Sequence, residues 1–241
     1  MNIALIFAGG VGKRMNSKGK PKQFLMINGK PILLHTIEIF ENHPQIDAII
    51  LVSNADWIDY TQSLIQKFGI TKVKWIVKGG ESGQESIANG LRKLSEEGLE
   101  NDDTIVLIHD GVRPLINEDV ITRNIEAVHE NGNAITVAPA YETIIRADEK
   151  ENLCEVYERS MCRLARAPQS FYLKDILNAH RKVNFTYDDS IVDSATLMSK
   201  NGKQLHLVNG PLENIKITTP SDFYVFRAFL EAKENSQIWG I

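Results

Sequence analysis

The chain has 241 residues, is 43% hydrophobic, and carries 27 Lys and Arg against 31 Asp and Glu, a formal net charge of −4. That length builds one α/β domain with a full core, expected to span 1–241, and leaves too little for a comfortable second one. The acidic balance argues against a general nucleic-acid binder, which carries a broad basic surface, and no uninterrupted apolar run is long enough to span a bilayer, so a soluble cytoplasmic protein is expected.

The first element is an apolar run, Ile3 to Ala8, that breaks into Gly9-Gly10-Val11-Gly12-Lys13-Arg14 and then reaches Pro21-Lys22-Gln23-Phe24. A short apolar run ended by glycines reads as a buried strand that delivers bare backbone N–H groups to a ligand, because glycine puts no side chain in the way. Lys13, Arg14, Lys18, Lys20 and Lys22 add five cations within ten residues, in a chain that is acidic overall, which points to a local polyanion such as a phosphate. A P-loop is excluded, since Lys13 is followed by Arg14 and the glycine spacing is too short. The dinucleotide fingerprint lacks its third glycine, Met15 standing there instead.

Short Ile- and Val-rich runs follow at Asp47 to Val52, Val73 to Val77, Thr104 to His109 and Ala134 to Ala138, as buried parallel strands require. Helical periodicity lies between them, at Pro31 to Phe40, Asp56 to Phe68, Ser86 to Leu94, and Glu118 to His129 with Asn117 as N-cap. This alternation predicts a doubly wound, mostly parallel sheet, whose ligands bind at the carboxyl ends of the strands. The loops that start at Gly9, Lys78, Asp110 and Pro139 therefore share one rim. Gly79-Gly80 again offers bare backbone there, or an ordinary turn, and Ser86 begins the next helix, where a hydroxyl can meet a base or an anion. His109-Asp110-Gly111-Val112-Arg113-Pro114 ends the fourth strand. Asp110 suits a divalent cation, because Mg²⁺ takes few protein oxygens and completes its shell with phosphate. It equally suits a structural pair with Arg113.

Beyond Pro139 the alternation breaks. Two extended runs around the charged turn Arg146 to Asn152 predict a hairpin arm at about 140–165. Cys154 and Cys162 fit neither zinc nor redox spacing and read as free thiols. A helix is expected over Leu173 to Lys182, and another opening at Asp188-Asp189 with both acids in its first turn. A strand over Gln204 to Val208 and a helix over Phe223 to Ala232 complete the pattern.

Five blocks in order carry a resemblance: Gly9-Gly10-Val11-Gly12-Lys13-Arg14-Met15 with Pro21-Lys22-Gln23-Phe24-Leu25; Gly29-Lys30-Pro31-Ile32-Leu33 with His35-Thr36; His109-Asp110 with Arg113-Pro114; Pro168-Gln169; and Asn214-Ile215-Lys216-Ile217-Thr218 with Pro220 and Asp222. From about Ile3 to Leu230 the chain resembles the methylerythritol-phosphate and ribitol-phosphate cytidylyltransferases. The resemblance implies a Rossmann-like nucleotidyltransferase fold, a projecting β-hairpin exchanged in a homodimer, CTP and an alditol phosphate as substrates, and Mg²⁺ or another divalent cation. It implies catalytic roles for Arg14, Lys22 and Lys216, and nucleotide binding by Ala8, Gly9, Gly10, Gly12, Gly79, Gly80, Ser86 and Asp110. Asp110 is also the implied metal residue, and Arg113, Thr143 and Arg159 surround the acceptor. The chain departs from the pattern at Ala167 and Val192, where threonines are usual, at Gly83, where an arginine is common, and at Glu142, where an aspartate is usual. Arg163 or Arg166 is the expected replacement for the lost phosphate contact. Ribitol 5-phosphate, for teichoic acid or capsule precursors, is the favoured acceptor. 2-C-methyl-D-erythritol 4-phosphate, for isoprenoid synthesis, and a non-catalytic nucleotide-binding protein are the alternatives. His35 and His109 are expected to be structural.

Overall fold

The computed structural model describes residues 1–10 and 20–239. Its backbone is a seven-stranded sheet in the order β11-β7-β10-β6-β1-β4-β5, where β1 is Asn2–Ala8, β4 Ala48–Ser53, β5 Val73–Lys78, β6 Ile105–Asp110, β7 Asn133–Pro139, β10 Arg163–Tyr172 and β11 Leu207–Asn209. β1 runs parallel to both β4 and β6, and β10 enters antiparallel between β6 and β7. Two short strands, β2 (Met26–Ile27) and β3 (Lys30–Pro31), form a separate small ladder. The four strands expected between Asp47 and Ala138 are present, each to within a residue of its expected ends.

The period of two along the strands divides the core into two layers. Ala4, Ile6, Ile49 and Leu51 face helices α1 (Ile32–Asn42), α2 (Ile58–Lys67) and α4 (Glu118–Asn131). Ile3, Leu5, Ile50 and Val52 face α3 (Gly83–Glu96), α5 (Leu173–Lys182) and α6 (Ser194–Lys200). Helices on both faces of a mostly parallel sheet make the doubly wound architecture that the alternation predicts. α4 is capped as expected, the Asn117 side chain accepting from the Val120 N–H, and α5 has the expected bounds.

Four boundaries differ, each for a local reason. α3 starts at Gly83 rather than Ser86, because the Ser82 hydroxyl accepts from the Glu85 N–H and caps the helix a turn earlier. Asp188 and Asp189 are not in a helical first turn. Asp193 caps α6 by accepting from the Thr196 N–H, while Asp188 closes a turn on the Ser190 N–H. The last strand is β11 at Leu207–Asn209, shifted toward the C-terminus by its parallel pairing with β7. The final helix, α7, runs over Pro220–Trp239, well beyond the expected Ala232, after Asp222 gathers the N–H groups of Thr218 and Thr219.

The hairpin is present. β8 (Ile145–Ala147) and β9 (Leu153–Val156) form an antiparallel ladder of their own, outside the main sheet. Asp148 closes its turn by accepting from the N–H groups of Lys150 and Asn152. Cys154 and Cys162 are free thiols. No helix among the described residues is long and apolar enough to cross a membrane.

Candidate active site

The carboxyl ends of β1, β4, β5 and β6 converge on a cleft of about 560 Å³, floored by Ala8, Gly9 and Gly10 and walled by Gly80, Ser86, Asp110, Lys22 and Lys216. Close backbone approach builds its floor. A Cβ on Gly79 would stand 3.1 Å from the Gly9 Cα and 3.3 Å from the Ser53 carbonyl, so the two glycine loops touch as only bare backbone can. The Ser86 hydroxyl accepts from the Gly80 N–H at 3.0 Å and donates to the Ser82 carbonyl at 2.9 Å, pinning the second loop to α3. The buried Gln23 amide donates to the carbonyls of Ala8, at 2.7 Å, and Gly10, at 3.1 Å, which holds the first loop where it leaves the sheet.

Asp110, at the end of β6, is the electrostatic centre. One carboxylate oxygen lies 2.6 Å from the Lys216 ammonium and the other 3.1 Å from the Arg113 guanidinium. Burial alone would raise its pKa, but the charges of Arg113 and then Lys216 outweigh burial and hold it well below the usual carboxylate range. The expected structural pair of Asp110 with Arg113 is present, and the same carboxylate lines the cleft. Lys216 reaches the cleft from an irregular segment tied down at several points. The Ile217 N–H donates to the Val112 carbonyl, Lys22 to the Ile217 carbonyl at 2.9 Å, and Arg113 to the Asn214 carbonyl at 2.7 Å. Asn214, completely buried, donates to the Ala167 carbonyl at 2.7 Å and so joins β10 to this segment.

A smaller cavity of about 170 Å³ adjoins the cleft, sharing Phe7, Gly83, Asp110 and Lys216 with it, and extends to Arg113, Arg166, Ala167 and Val192. A ligand in one cavity therefore meets a ligand in the other at Asp110 and Lys216. Arg113 and both departures, Ala167 and Val192, line this smaller cavity together. Of the two candidate arginines Arg166 lines this cavity, whereas Arg163 is exposed and donates to the carbonyls of Ser160 and Cys162.

Thr143 and Arg159 stand apart. Both are exposed near the hairpin, Arg159 donating to the Tyr141 carbonyl at 3.0 Å, and neither lines either cavity, because the hairpin leaves the main sheet. Gly12 and Arg14 lie outside the described residues. His109 is structural, as expected. It packs its ring on Phe40, hydrogen-bonds the Arg113 carbonyl through Nε2, and is held neutral by burial, its pKa lowered to about 4. His35 bonds the Ile27 carbonyl instead of facing the cleft, and burial lowers its pKa too.

Asp110 and Glu81 are the acidic side chains on the cleft, and no group of three potential metal ligands occurs among the described residues. This set fits Mg²⁺ only as an ion that brings most of its oxygen ligands with it, as one bound to a triphosphate does. Sequence reasoning missed three supports of the site: Gln23, Asn214, and Asn54, whose amide lies 3.5 Å from the Gly9 carbonyl. The available signal was a polar amide beside a cation or within an apolar run, at Lys22-Gln23 and Asn214-Ile215.

The 2-C-methyl-D-erythritol 4-phosphate cytidylyltransferase (IspD) family model matches residues 2–232. The chain is 53% identical, over the whole of both chains, to a protein of Streptococcus agalactiae serotype V named ribitol-5-phosphate cytidylyltransferase. It is 52% identical, again over both chains, to a protein of the same name from Vibrio parahaemolyticus. The crystal structure of 4-diphosphocytidyl-2C-methyl-D-erythritol synthase from Anaerococcus prevotii superposes with a TM-score of 0.81 at 25% identity, covering 95% of this chain and 96% of that one.

Proposed function

The chain belongs to the 2-C-methyl-D-erythritol 4-phosphate cytidylyltransferase family, and from that premise we propose that it joins CTP to ribitol 5-phosphate, giving CDP-ribitol and pyrophosphate. The observation that carries this reading is the pair of cavities meeting at Asp110 and Lys216. A nucleotide occupies the glycine-floored cleft and a small phosphorylated polyol the adjoining pocket, with the reacting groups at the junction. The choice of ribitol 5-phosphate over methylerythritol phosphate rests on the full-length identity of 52–53% to proteins named for that acceptor. The family model's own name supports the second reading, methylerythritol phosphate.

In this reaction an oxygen of the acceptor phosphate attacks the α-phosphorus of CTP. One P–O bond forms, the bond from the α-phosphorus to the bridging oxygen breaks, and the electron pair leaves with pyrophosphate. The acceptor phosphate is already ionised, so no general base is required, and catalysis reduces to positioning and charge neutralisation. The backbone of Ala8, Gly9, Gly10, Gly79 and Gly80, held by Gln23 and Ser86, receives the nucleotide. Lys216 stands at the α-phosphate and Lys22 along the triphosphate; Arg14, to which the family resemblance gives a catalytic role, falls outside the described residues. Arg113, held by Asp110, faces the acceptor. Mg²⁺, when bound, neutralises charge on the triphosphate, and Asp110 is the residue that would hold it on the protein side.

Thr143 and Arg159 complete the acceptor site from a partner's hairpin. Tyr141, Leu153, Val156 and Met161, each more than half exposed, give this region an apolar surface that a second copy would cover. The product fits teichoic acid or capsule precursor synthesis in the cytoplasm. Pyrophosphate release by the purified protein should need CTP, Mg²⁺ and ribitol 5-phosphate together, and Lys216→Ala should lower the rate about 100-fold, the scale for one lost charge-stabilising group. Release that ignores the acceptor, or a Lys216→Ala variant as fast as the parent, would contradict the reading.

A further inference from the structure

The smaller cavity carries an unusual concentration of polar atoms without protein partners. Seven buried side-chain nitrogens and oxygens among the described residues lack a hydrogen-bond partner, and three of them belong to residues lining this one cavity: Gln84 Oε1, Arg166 Nε and Ser194 Oγ. Gln84 is 5% exposed and Ser194 1%, so neither side chain is simply turned to solvent. Leaving one buried polar atom unpaired costs about 1–3 kcal/mol, and folded proteins rarely tolerate several side by side unless a ligand or ordered water satisfies them.

The charges in the cavity point the same way. Arg113 has Asp110 as its counter-ion, but Arg166 makes no ion pair among the described residues. The other carboxylate on the cavity, Asp193, is committed to the Gln169 amide and to the N–H and hydroxyl of Thr196. Burial, and the nearby charge of Arg113, accordingly lower the pKa of Arg166. A guanidinium half-buried beside another guanidinium, with no carboxylate of its own, is a site for an added anion, and its planar fork suits two oxygens of a phosphate.

Resting on the cytidylyl-transfer reading, we propose that Arg166, Gln84 and Ser194 form the specificity-determining grip on an open-chain polyol phosphate, Arg166 holding the phosphate and Gln84 and Ser194 the hydroxyls of the chain. The three come from different elements: Arg166 from β10, Gln84 from the first turn of α3, and Ser194 from the start of α6. This division matches the chemistry of such an acceptor, anionic at one end and hydroxylated along its length. It also accounts for Ala167 and Val192. Neither side chain can hydrogen-bond, so the polar recognition in this cavity falls to other residues of its lining, Arg166 and Ser194 among them.

Steady-state kinetics with Mg²⁺, varying CTP and ribitol 5-phosphate separately, tests the assignment on Arg166→Ala, Arg166→Lys, Gln84→Leu and Ser194→Ala, with Arg163→Ala as a charge-matched control outside the cavity. Ser194→Ala removes a hydroxyl that bonds nothing in the fold, so its melting temperature should equal or exceed that of the parent, and misfolding cannot account for its kinetics. The KM for ribitol 5-phosphate should rise about tenfold in Ser194→Ala and Gln84→Leu, and about 100-fold in Arg166→Ala, with part recovered in Arg166→Lys; the KM for CTP should stay within twofold throughout. Arg163→Ala should match the parent. An unchanged acceptor KM in Arg166→Ala and Ser194→Ala, or an equal rise in Arg163→Ala, would overturn the grip while the parent's turnover keeps the transfer reading intact. A parent that releases no pyrophosphate with any alditol phosphate would overturn the transfer reading, and the grip with it.

Discussion

Asp110 sits between two cations of unequal burial. The Arg113 side chain is 7% exposed and that of Lys216 40%, so removing the carboxylate charge strands one buried cation and one that water can partly serve. Breaking a buried pair by deleting one partner costs about 3–5 kcal/mol, and the half-exposed Lys216 places Asp110→Asn near the lower end, about 3 kcal/mol in denaturant unfolding. A loss well under 1 kcal/mol would mean that the pair does not stabilise the fold. The buried histidines set the pH dependence of stability. His109 and His180 each have a pKa lowered to about 4, mainly by burial, whereas in the unfolded chain they titrate near 6.5. Between those values the unfolded chain binds protons that the fold refuses, so stability falls as the pH drops through this window, by on the order of 3 kcal/mol per histidine at full extent. Asp110 contributes in the opposite range. Its lowered pKa leaves its stabilisation complete above about pH 4, and that contribution is lost only below it. Unfolding free energies measured near neutrality and at about pH 5 should therefore show a clear acid loss that belongs to the histidines and persists in Asp110→Asn. Equal values at both pH values would contradict this account.

The contact of α3 with the sheet depends on Gly90. A Cβ there would stand 2.8 Å from Leu5 Cδ1 and 3.0 Å from Val52 Cγ2, both inside a completely buried layer. Alanine would add up to about 1 kcal/mol of helix propensity, but overpacking a closed core costs about 1–3 kcal/mol. The second effect wins, so Gly90→Ala should lower the unfolding midpoint, and because α3 carries Ser86, which holds the Gly80 loop of the nucleotide cleft, it should also raise the KM for CTP. A stabilised Gly90→Ala would show that the layer yields more easily than its packing implies. Element identity was largely readable because β1, β4, β6 and β7 are near-continuous apolar runs closed by Gly9, Asn54, Asp110 and Pro139, the pattern that buried strands of such a sheet maintain. The boundaries that moved did so where a side chain competes for the backbone. Ser82 and Asp193 each cap a helix that periodicity alone starts elsewhere, and periodicity does not register caps.

At the scale of the whole molecule, the rim where β1, β4, β5 and β6 end was legible as the ligand edge, and Asp110, Lys22, Lys216 and the glycine pairs do meet there. The supports were not legible. Gln23, Asn54 and Asn214 act through carbonyls 13 to 47 residues away in the chain, so a local pattern can flag an out-of-place amide at Gln23 or Asn214 but not the partner it bonds. Thr143 and Arg159 were identified by resemblance alone, and within one protomer neither is among the residues lining the two cavities. In the proposed dimer a second copy would cover the apolar hairpin surface and bring both residues across the interface. Sedimentation should give a dimer at micromolar concentration. The double change Ile145→Glu and Val156→Glu, at directly paired positions of the hairpin, should give a folded monomer with a raised acceptor KM; an active monomeric parent would remove the partner hairpin from the site. The central claim, cytidylyl transfer to ribitol 5-phosphate, is tested most directly by one comparison: kcat/KM for pyrophosphate release from CTP with ribitol 5-phosphate against 2-C-methyl-D-erythritol 4-phosphate. The account predicts a preference for ribitol 5-phosphate of about 100-fold or more, the discrimination expected when buried polar groups are matched in one substrate and left unpaired in the other. Equal values, or a preference for the methylerythritol phosphate, would contradict it.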